Sequence, residues 1–232
     1  VITVDVPVLG RRERDVRAGF TLPPKLGLDT IMEGALHLGW TMAFMRAEPI
    51  AFGNVFRRDN VSSAAPVNLA EHVNSQFDPR LSWNDIGWFR SNWKGPIIIK
   101  GIQTVEDAKI AADVGVEAIA LSNHGGRQLD GAPPALELVA PVADAVGDSV
   151  EIICDGGVRR GGDIAKAVAL GAKACMAGRP YLYGLAAGGE RGVDFVLGLL
   201  LEELCRTMAL IGDTGIDGLT PELVEWRKGG RA

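Results

Sequence analysis

Two residue pairs and a set of cations carry the chemistry that this sequence can do. Thr3 and Asp5 stand two apart at the end of one β-branched apolar run, and Ser122 and His124 stand two apart at the end of another. On extended chain each pair points one way. An Asp and a His at neighbouring strand ends make a pair in which the carboxylate fixes the imidazole tautomer and raises its basicity, so His124 is a candidate general base with Asp5 as its partner. Arg127 follows His124 by three residues, and Arg12 lies in the basic cluster Arg11-Arg12-Glu13-Arg14. Guanidinium groups grip carboxylates bidentately, so a small carboxylate-bearing substrate is expected. Arg11 and Arg14 read as solvated or ion-paired with Glu13 and Asp15, although spacing alone does not decide which of Arg11 and Arg12 faces the site.

The stretch DGGVRRGGD, residues 155–163, joins a strand to a helix through glycines. Such glycines free backbone N–H groups to face an anion at a helix N-terminus. Gly178-Arg179 supplies a second loop of the same kind. Together they predict a phosphate held by Arg159, Arg179 and backbone amides. No G-x-G-x-x-G is present, which weighs against a Rossmann dinucleotide site. Lys100 ends the run PIIIK. It reads either as a Schiff-base nucleophile or as a fixed cation facing an anionic cofactor edge.

The elements that position these groups are five short apolar runs, at 1–4, 96–99, 118–121, 151–154 and 174–177. Helical patterns alternate with them from the second run onward: 104–114 opens on a threonine cap and acidic residues, 134–146 on a proline, and each of these and 163–170 stops at a glycine. Strand, helix, glycine, strand is the signature of βα units with a parallel sheet. Every run ends in reactive groups, which favours a TIM (β/α)8 barrel, where all strand ends face one mouth, over a doubly wound sheet with one switch point. Five strands against the eight of a barrel, and an opening directly on a strand-like run at Val1, predict a fragment covering about strands 4 to 8 of a longer chain. Within this single domain, 1–232, a long loop or lid spans 7–95, with weaker helical patterns at 28–46 and 82–93 and a Pro/Asn/Ser-rich middle at 60–66. Loops of that length are commonly lids or binding loops. The stripe Trp83, Trp88, Phe89 and Trp93 is expected to pack on the barrel.

Composition bounds the rest. The chain has 232 residues, 47% hydrophobic, with 24 basic and 29 acidic side chains and a net charge of −5. Thirty glycines and twelve prolines lie between apolar runs and form no low-complexity tract, so disorder is excluded. A mildly acidic chain without a basic cluster of the kind that releases phosphate counterions argues against nucleic acid. Cys154, Cys175 and Cys205 are far apart and read as buried reduced thiols in a cytoplasmic setting. Nor does any stretch reach the ~20 apolar residues of a spanning helix; the uncharged stretch 34–45 leaves a peripheral membrane contact open.

The runs TVDVPVLGRRERD (3–15), PIIIKGI (96–102), LSNHGGRQLDG (121–131), ICDGGVRRGGD (153–163) and AGRPYLYGLA (177–186) closely resemble the FMN-dependent 2-hydroxy-acid dehydrogenase/oxidase family, to which glycolate oxidase, L-lactate dehydrogenase and mandelate dehydrogenase belong. The resemblance implies a TIM barrel with FMN as cofactor and oxidation of an (S)-2-hydroxy acid, L-lactate above others, to the 2-oxo acid. It implies that Thr3, Lys100 and Ser122 contact the flavin ring, with Lys100 at its N1/O2 edge, which displaces the Schiff-base reading. Asp155, Gly156, Gly157, Val158, Arg159, Gly178 and Arg179 would line the ribityl phosphate. His124 would be the base, Asp5 its partner, and Arg127 with Arg12 the clamp on the substrate carboxylate, the motif favouring Arg12 over Arg11. The proton would leave either the hydroxyl, with hydride transfer, or the α-carbon, through a carbanion. Oxygen, a quinone or a cytochrome would accept the electrons, and a tetramer would be the common assembly. Two active-site tyrosines of the family's earlier strands have no counterpart, and Tyr181 and Tyr183 read as packing residues. The alternatives are a flavin-free, non-catalytic fragment and an FMN barrel with isomerase or other redox chemistry, against which Arg127 argues. A dehydrogenase of the inosine-monophosphate type would want a cysteine between Ser122 and Gly131, where there is none.

Overall fold

In a computed structural model the described residues are 1–8, 10, 12–19, 27–47 and 77–226. Arg11 and the stretch 60–66 lie outside them. The five apolar runs become β1 (Ile2–Thr3), β2 (Ile98–Ile102), β3 (Ala118–Ser122), β4 (Glu151–Asp155) and β5 (Ala174–Met176). They form one parallel sheet in the order β1-β2-β3-β4-β5. A doubly wound sheet reverses its order at a switch point; this order never reverses, and right-handed crossovers then put every intervening helix on one face. That is the winding of a (β/α)8 barrel, whose closure takes eight strands. Among the described residues the sheet is open, with β1 and β5 as its edges.

The chain divides into two compact units, Val1–Gly10 with Pro79–Ala232, and Arg11–Asp78. Three helices are described in the second: α1 (Glu13–Arg17), α2 (Leu28–Leu36) and α3 (Leu38–Arg46). His37 breaks the helical pattern of 28–46 into two, at φ −115° and ψ 53°, and Thr41 Oγ1 donates to the Gly34 carbonyl across the break at 2.8 Å. Both helices are apolar on the outside: Leu28, Ile31, Met32, Leu36, Leu38, Trp40, Phe44 and Met45 are all exposed. Trp40 stacks on Phe44 with ring centroids 5.2 Å apart.

The sheet unit adds α4 (Trp83–Asn92), α5 (Val105–Asp113), α6 (Ala135–Val146), α7 (Gly161–Ala169) and α8 (Arg179–Ile211). Caps fix their starts: Thr104 Oγ1 accepts from Asp107 N at 3.0 Å, and Asp85 reaches back to Ser82 N at 2.7 Å. The helix α8 is broken at Gly188 and Gly189, whose φ values are −149° and 59°. Register lines run Ile99, Ile119, Ile152 on one face and Lys100, Ala120, Ile153 on the other. The first line meets Ala108 and Ala111 of α5 and Val139 and Val142 of α6 in the main core. Each fully buried aliphatic side chain there stabilises the fold by about 1.5–3 kcal/mol.

Three expectations fail. Ile86 anchors α4, with Trp83 and Phe89 beside it, whereas Trp88 and Trp93 are 63% and 58% exposed. Residues 83, 86 and 89 share a helix face; 88 lies about 200° round from 86 at 100° per residue, so the aromatic residues form no single stripe. Among the cysteines Cys154 is buried, Cys175 half-buried and Cys205 exposed, because Cys205 sits on α8 away from the sheet. Tyr183 is exposed as well.

Candidate active site

Asp5 leaves β1 and packs over a glycine. The β2–β3 register slips between Lys100 and Ile102, where Gly101 takes φ +109°, and a Cβ at Gly101 would lie 2.7 Å from Asp5 Cβ and Cγ. Only glycine leaves that space. The Asp5 side chain is 1% exposed there, with Oδ1 3.1 Å from His124 Nδ1 and Oδ2 3.9 Å from Lys100 Nζ. Oδ2 is buried without a hydrogen-bond partner.

His124 has φ 56°, and it alone among the described non-glycine residues has a positive φ. Gly125 and Gly126 continue in the same region at 65° and 70°. The turn is closed by Gly126 N, which donates to the Asn123 carbonyl at 3.0 Å and to Asn123 Oδ1 at 3.2 Å. A left-handed His costs about 1–3 kcal/mol and marks a position held for its side chain. An ionised carboxylate can only accept, so in the neutral imidazole the proton sits on Nδ1 and Nε2 presents a lone pair.

Lys100 Nζ lies 3.1 Å from Ser122 Oγ and 3.0 Å from Asp155 Oδ2. Ser122 Oγ donates to Asp155 Oδ2 at 2.7 Å and accepts from His124 N at 3.0 Å. The buried hydroxyl therefore ties the cation, the carboxylate and the histidine turn together. Asp155, which the resemblance sets at the ribityl phosphate, has Lys100 and Ser122 as its partners. Thr3 pairs with Lys100 across β1 and β2 and is exposed beside it.

The glycine loops stand one strand further on. Gly156 and Gly157 have φ 119° and 77°, and a Cβ at Gly157 or Gly178 would meet nothing within 4 Å. Gly156 and Gly157 bound a cavity of about 360 Å³ that Asn123, Gly125, Gly126, Asp163 and Arg179 also line. Arg159 N and Arg160 N both donate to Asp163 Oδ2 at 3.0 Å, which orders the loop ahead of α7. Val158 is buried, so its backbone alone can serve an anion. Arg159 is exposed, and Arg179 Nη2 donates to the Gly125 carbonyl at 2.9 Å. The open cradle at Gly156 and Gly157 and the Arg179 guanidinium beside it fit the phosphate end of FMN. Asn123, which closes the histidine turn, and Asp163, which orders the loop ahead of α7, carry weak sequence signals: an Asn separated by one residue from a glycine pair and an acid four after Arg159.

Arg127 is exposed and has no ion-pair partner among the described residues. Arg12 belongs to the other unit, where Nη1 lies 3.6 Å from Asp15 Oδ2 and Arg17 pairs with Glu13 at 3.0 Å. Among the described residues the acids of that cluster thus pair with Arg12 and Arg17, one helical turn away.

The sequence matches the family described as FMN-dependent dehydrogenase over residues 1–226. An L-lactate dehydrogenase of Alcaligenes faecalis is 39% identical over 228 residues, 97% of this chain and 59% of that protein. The 2-hydroxyacid oxidase 1 of Mus musculus is 42% identical over 223 residues, 96% of this chain and 55% of that protein. A solved structure, of the monotopic membrane protein (S)-mandelate dehydrogenase, superposes with a TM-score of 0.87 at 39% identity, covering 95% of this chain and 58% of that one. The chain spans about half the length of the curated relatives it matches.

Proposed function

The chain belongs to the FMN-dependent dehydrogenase family, and from that premise we propose that it carries the base, the carboxylate-binding cation and the cofactor-phosphate loops of an enzyme that oxidises an (S)-2-hydroxy acid to the 2-oxo acid. The observation that carries the proposal is the 3.1 Å contact between Asp5 and His124 on strand ends shared with Lys100. L-Lactate leads the candidate substrates, because relatives across several bacteria are named L-lactate dehydrogenases. FMN would be held at its phosphate by Arg159, Arg179 and the amides of Gly156, Gly157 and Gly178, and at its ring by Thr3, Lys100 and Ser122. When bound it supplies the two-electron acceptor that side chains lack. His124 Nε2 takes the proton of the substrate hydroxyl or of its α-carbon. Asp5 then faces the imidazolium and offsets its charge, and Arg127 holds the carboxylate. Replacing His124 with Ala lowers the rate of flavin reduction roughly 10²–10⁴-fold, the usual worth of a positioned general base. Anaerobic stopped-flow with glycolate, L-lactate, longer 2-hydroxy acids and mandelate reads both this loss and the substrate order. A variant within tenfold of wild type, or protein that stays colourless with added FMN, overturns the proposal.

A second reading concerns place. Among the described residues no helix is long and apolar enough to cross a membrane, yet α2 and α3 expose Trp40, Phe44 and five or more aliphatic side chains. We infer that the α2–α3 pair, within the long segment 7–95, rests in the surface of a membrane. A lipid-soluble quinone is then favoured over oxygen or a cytochrome as electron acceptor.

A further inference from the structure

We propose that Gln128 is a positioning residue, whose side-chain amide fastens the Asp5–Gly10 segment to the histidine turn and thereby sets the Asp5–His124 contact. The inference rests on His124 being the base. Asp5 and His124 are 119 residues apart in sequence, and Asp5 lies beyond the end of β1. The last backbone bond on that side is Val4 N to the Lys100 carbonyl at 2.9 Å; among the described residues none is made by 5–8. Gly101 gives Asp5 room but no attachment. The attachment comes from Gln128: Nε2 donates to the Asp5 carbonyl at 3.2 Å and to the Val8 carbonyl at 3.0 Å, and Oε1 accepts from Gly10 N at 2.9 Å.

Both amide protons and the amide oxygen are thus spent on one six-residue segment. The orientation is dictated by chemistry, since a reversed amide would set its NH2 against an N–H and its oxygen against two carbonyls. Gly10 is the other half of the fastening. A Cβ there would overlap the Arg127 carbonyl and the Gln128 side chain, so the absence of a side chain lets the segment close on the turn. Gln128 has no donor left for a substrate, both amide protons being engaged. It acts through Asp5, by keeping a 3.1 Å bond from becoming a gap.

The test uses the flavin-loaded protein with Gln128→Met, which keeps the length and removes all three bonds, and Gln128→Glu, which keeps the size and the acceptor for Gly10 but turns oxygens toward two carbonyls. Both are expected to lower the rate constant of flavin reduction roughly 10- to 100-fold, the scale of a displacement near 1 Å, with KM changed less than about threefold. Flavin content is expected to be unchanged. In proton NMR the downfield Nδ1–H signal of His124, present when Asp5 accepts it, is expected to vanish in both variants, with or without flavin. Wild-type rates and an intact Nδ1–H signal in Gln128→Glu would mean that the side chain only fills space, and the proposal fails; this variant decides if Gln128→Met does not fold. His124→Ala, measured alongside, separates the two readings. If it remains fully active the base assignment falls and this inference with it, whereas an inactive His124→Ala beside active Gln128 variants sinks the inference alone.

Discussion

At position 101 a single methyl group competes with Asp5 for the same space. An alanine there would hold a left-handed φ of +109° and push its Cβ to 2.7 Å from Asp5. Backbone strain and overpacking each cost about 1–3 kcal/mol, so Gly101→Ala is expected to lose about 2–5 kcal/mol in urea unfolding and to slow flavin reduction. Gly157→Ala is the control: its φ is 77° but nothing lies within 4 Å of a Cβ, so it pays for strain alone. Equal unfolding midpoints for the two variants would contradict the argument. The same residues show how far single positions could be read in the sequence. Asp5, Lys100, Ser122 and His124 were legible because period-two strands put them on one face and their loops carry recognisable chemistry. The pairing of Asp155 with Lys100 and Ser122 was not legible, since proximity to the glycines gave no hint of those partners. Gln128 was invisible: its three partners are backbone groups more than a hundred positions away.

Among elements, α4 is tied to the sheet by charge as well as by Ile86. Arg90 Nη2 reaches Glu117 Oε2 at 2.8 Å, and Glu117 Oε2 also accepts from Ile97 N at 2.6 Å, just ahead of β2. The Arg90 hydrogen bond, with the Ile97 amide second, lowers the Glu117 carboxyl from 4.5 to about 2. A carboxyl lowered in the folded state contributes stability above its unfolded value and loses it as pH falls through the folded one. Glu117→Gln is therefore expected to melt a few degrees below wild type at neutral pH, with the gap closing between about pH 4.5 and about pH 2. A gap that stayed constant through that range would refute the linkage. Strands and capped helices were readable to within about three residues because glycine, proline and threonine punctuate them. The region after Arg179 was not. Gly188 and Gly189 break α8 in two, and glycines inside a long apolar pattern look the same in sequence whether they break a helix or merely weaken it.

For the whole molecule, the charge is unevenly shared. The unit Arg11–Asp78 holds eight basic and eight acidic side chains, so the net −5 resides on the sheet unit. Barrel winding could be inferred from reactive groups at all five strand ends, and the unreversed strand order bears it out. The second unit could be foreseen only as a long insert, because an apolar helix looks alike whether it faces a core or a bilayer. Its charge balance makes the membrane reading testable in a specific way. A neutral unit gains nothing from anionic headgroups, so any attachment comes from the apolar face of α2 and α3, where each large side chain that leaves water contributes about 1.5–3 kcal/mol. Binding to neutral phosphatidylcholine vesicles in a sedimentation assay is therefore expected, and it should survive ~1 M salt, at which exposed charges are screened within about 3 Å. Replacing the stacked pair, Trp40→Ser with Phe44→Ser, is expected to lower the vesicle-bound fraction at least tenfold while leaving flavin reduction by L-lactate unchanged. Protein that stays in the supernatant with neutral vesicles, or whose binding disappears with salt, would assign the exposed apolar face to something other than lipid.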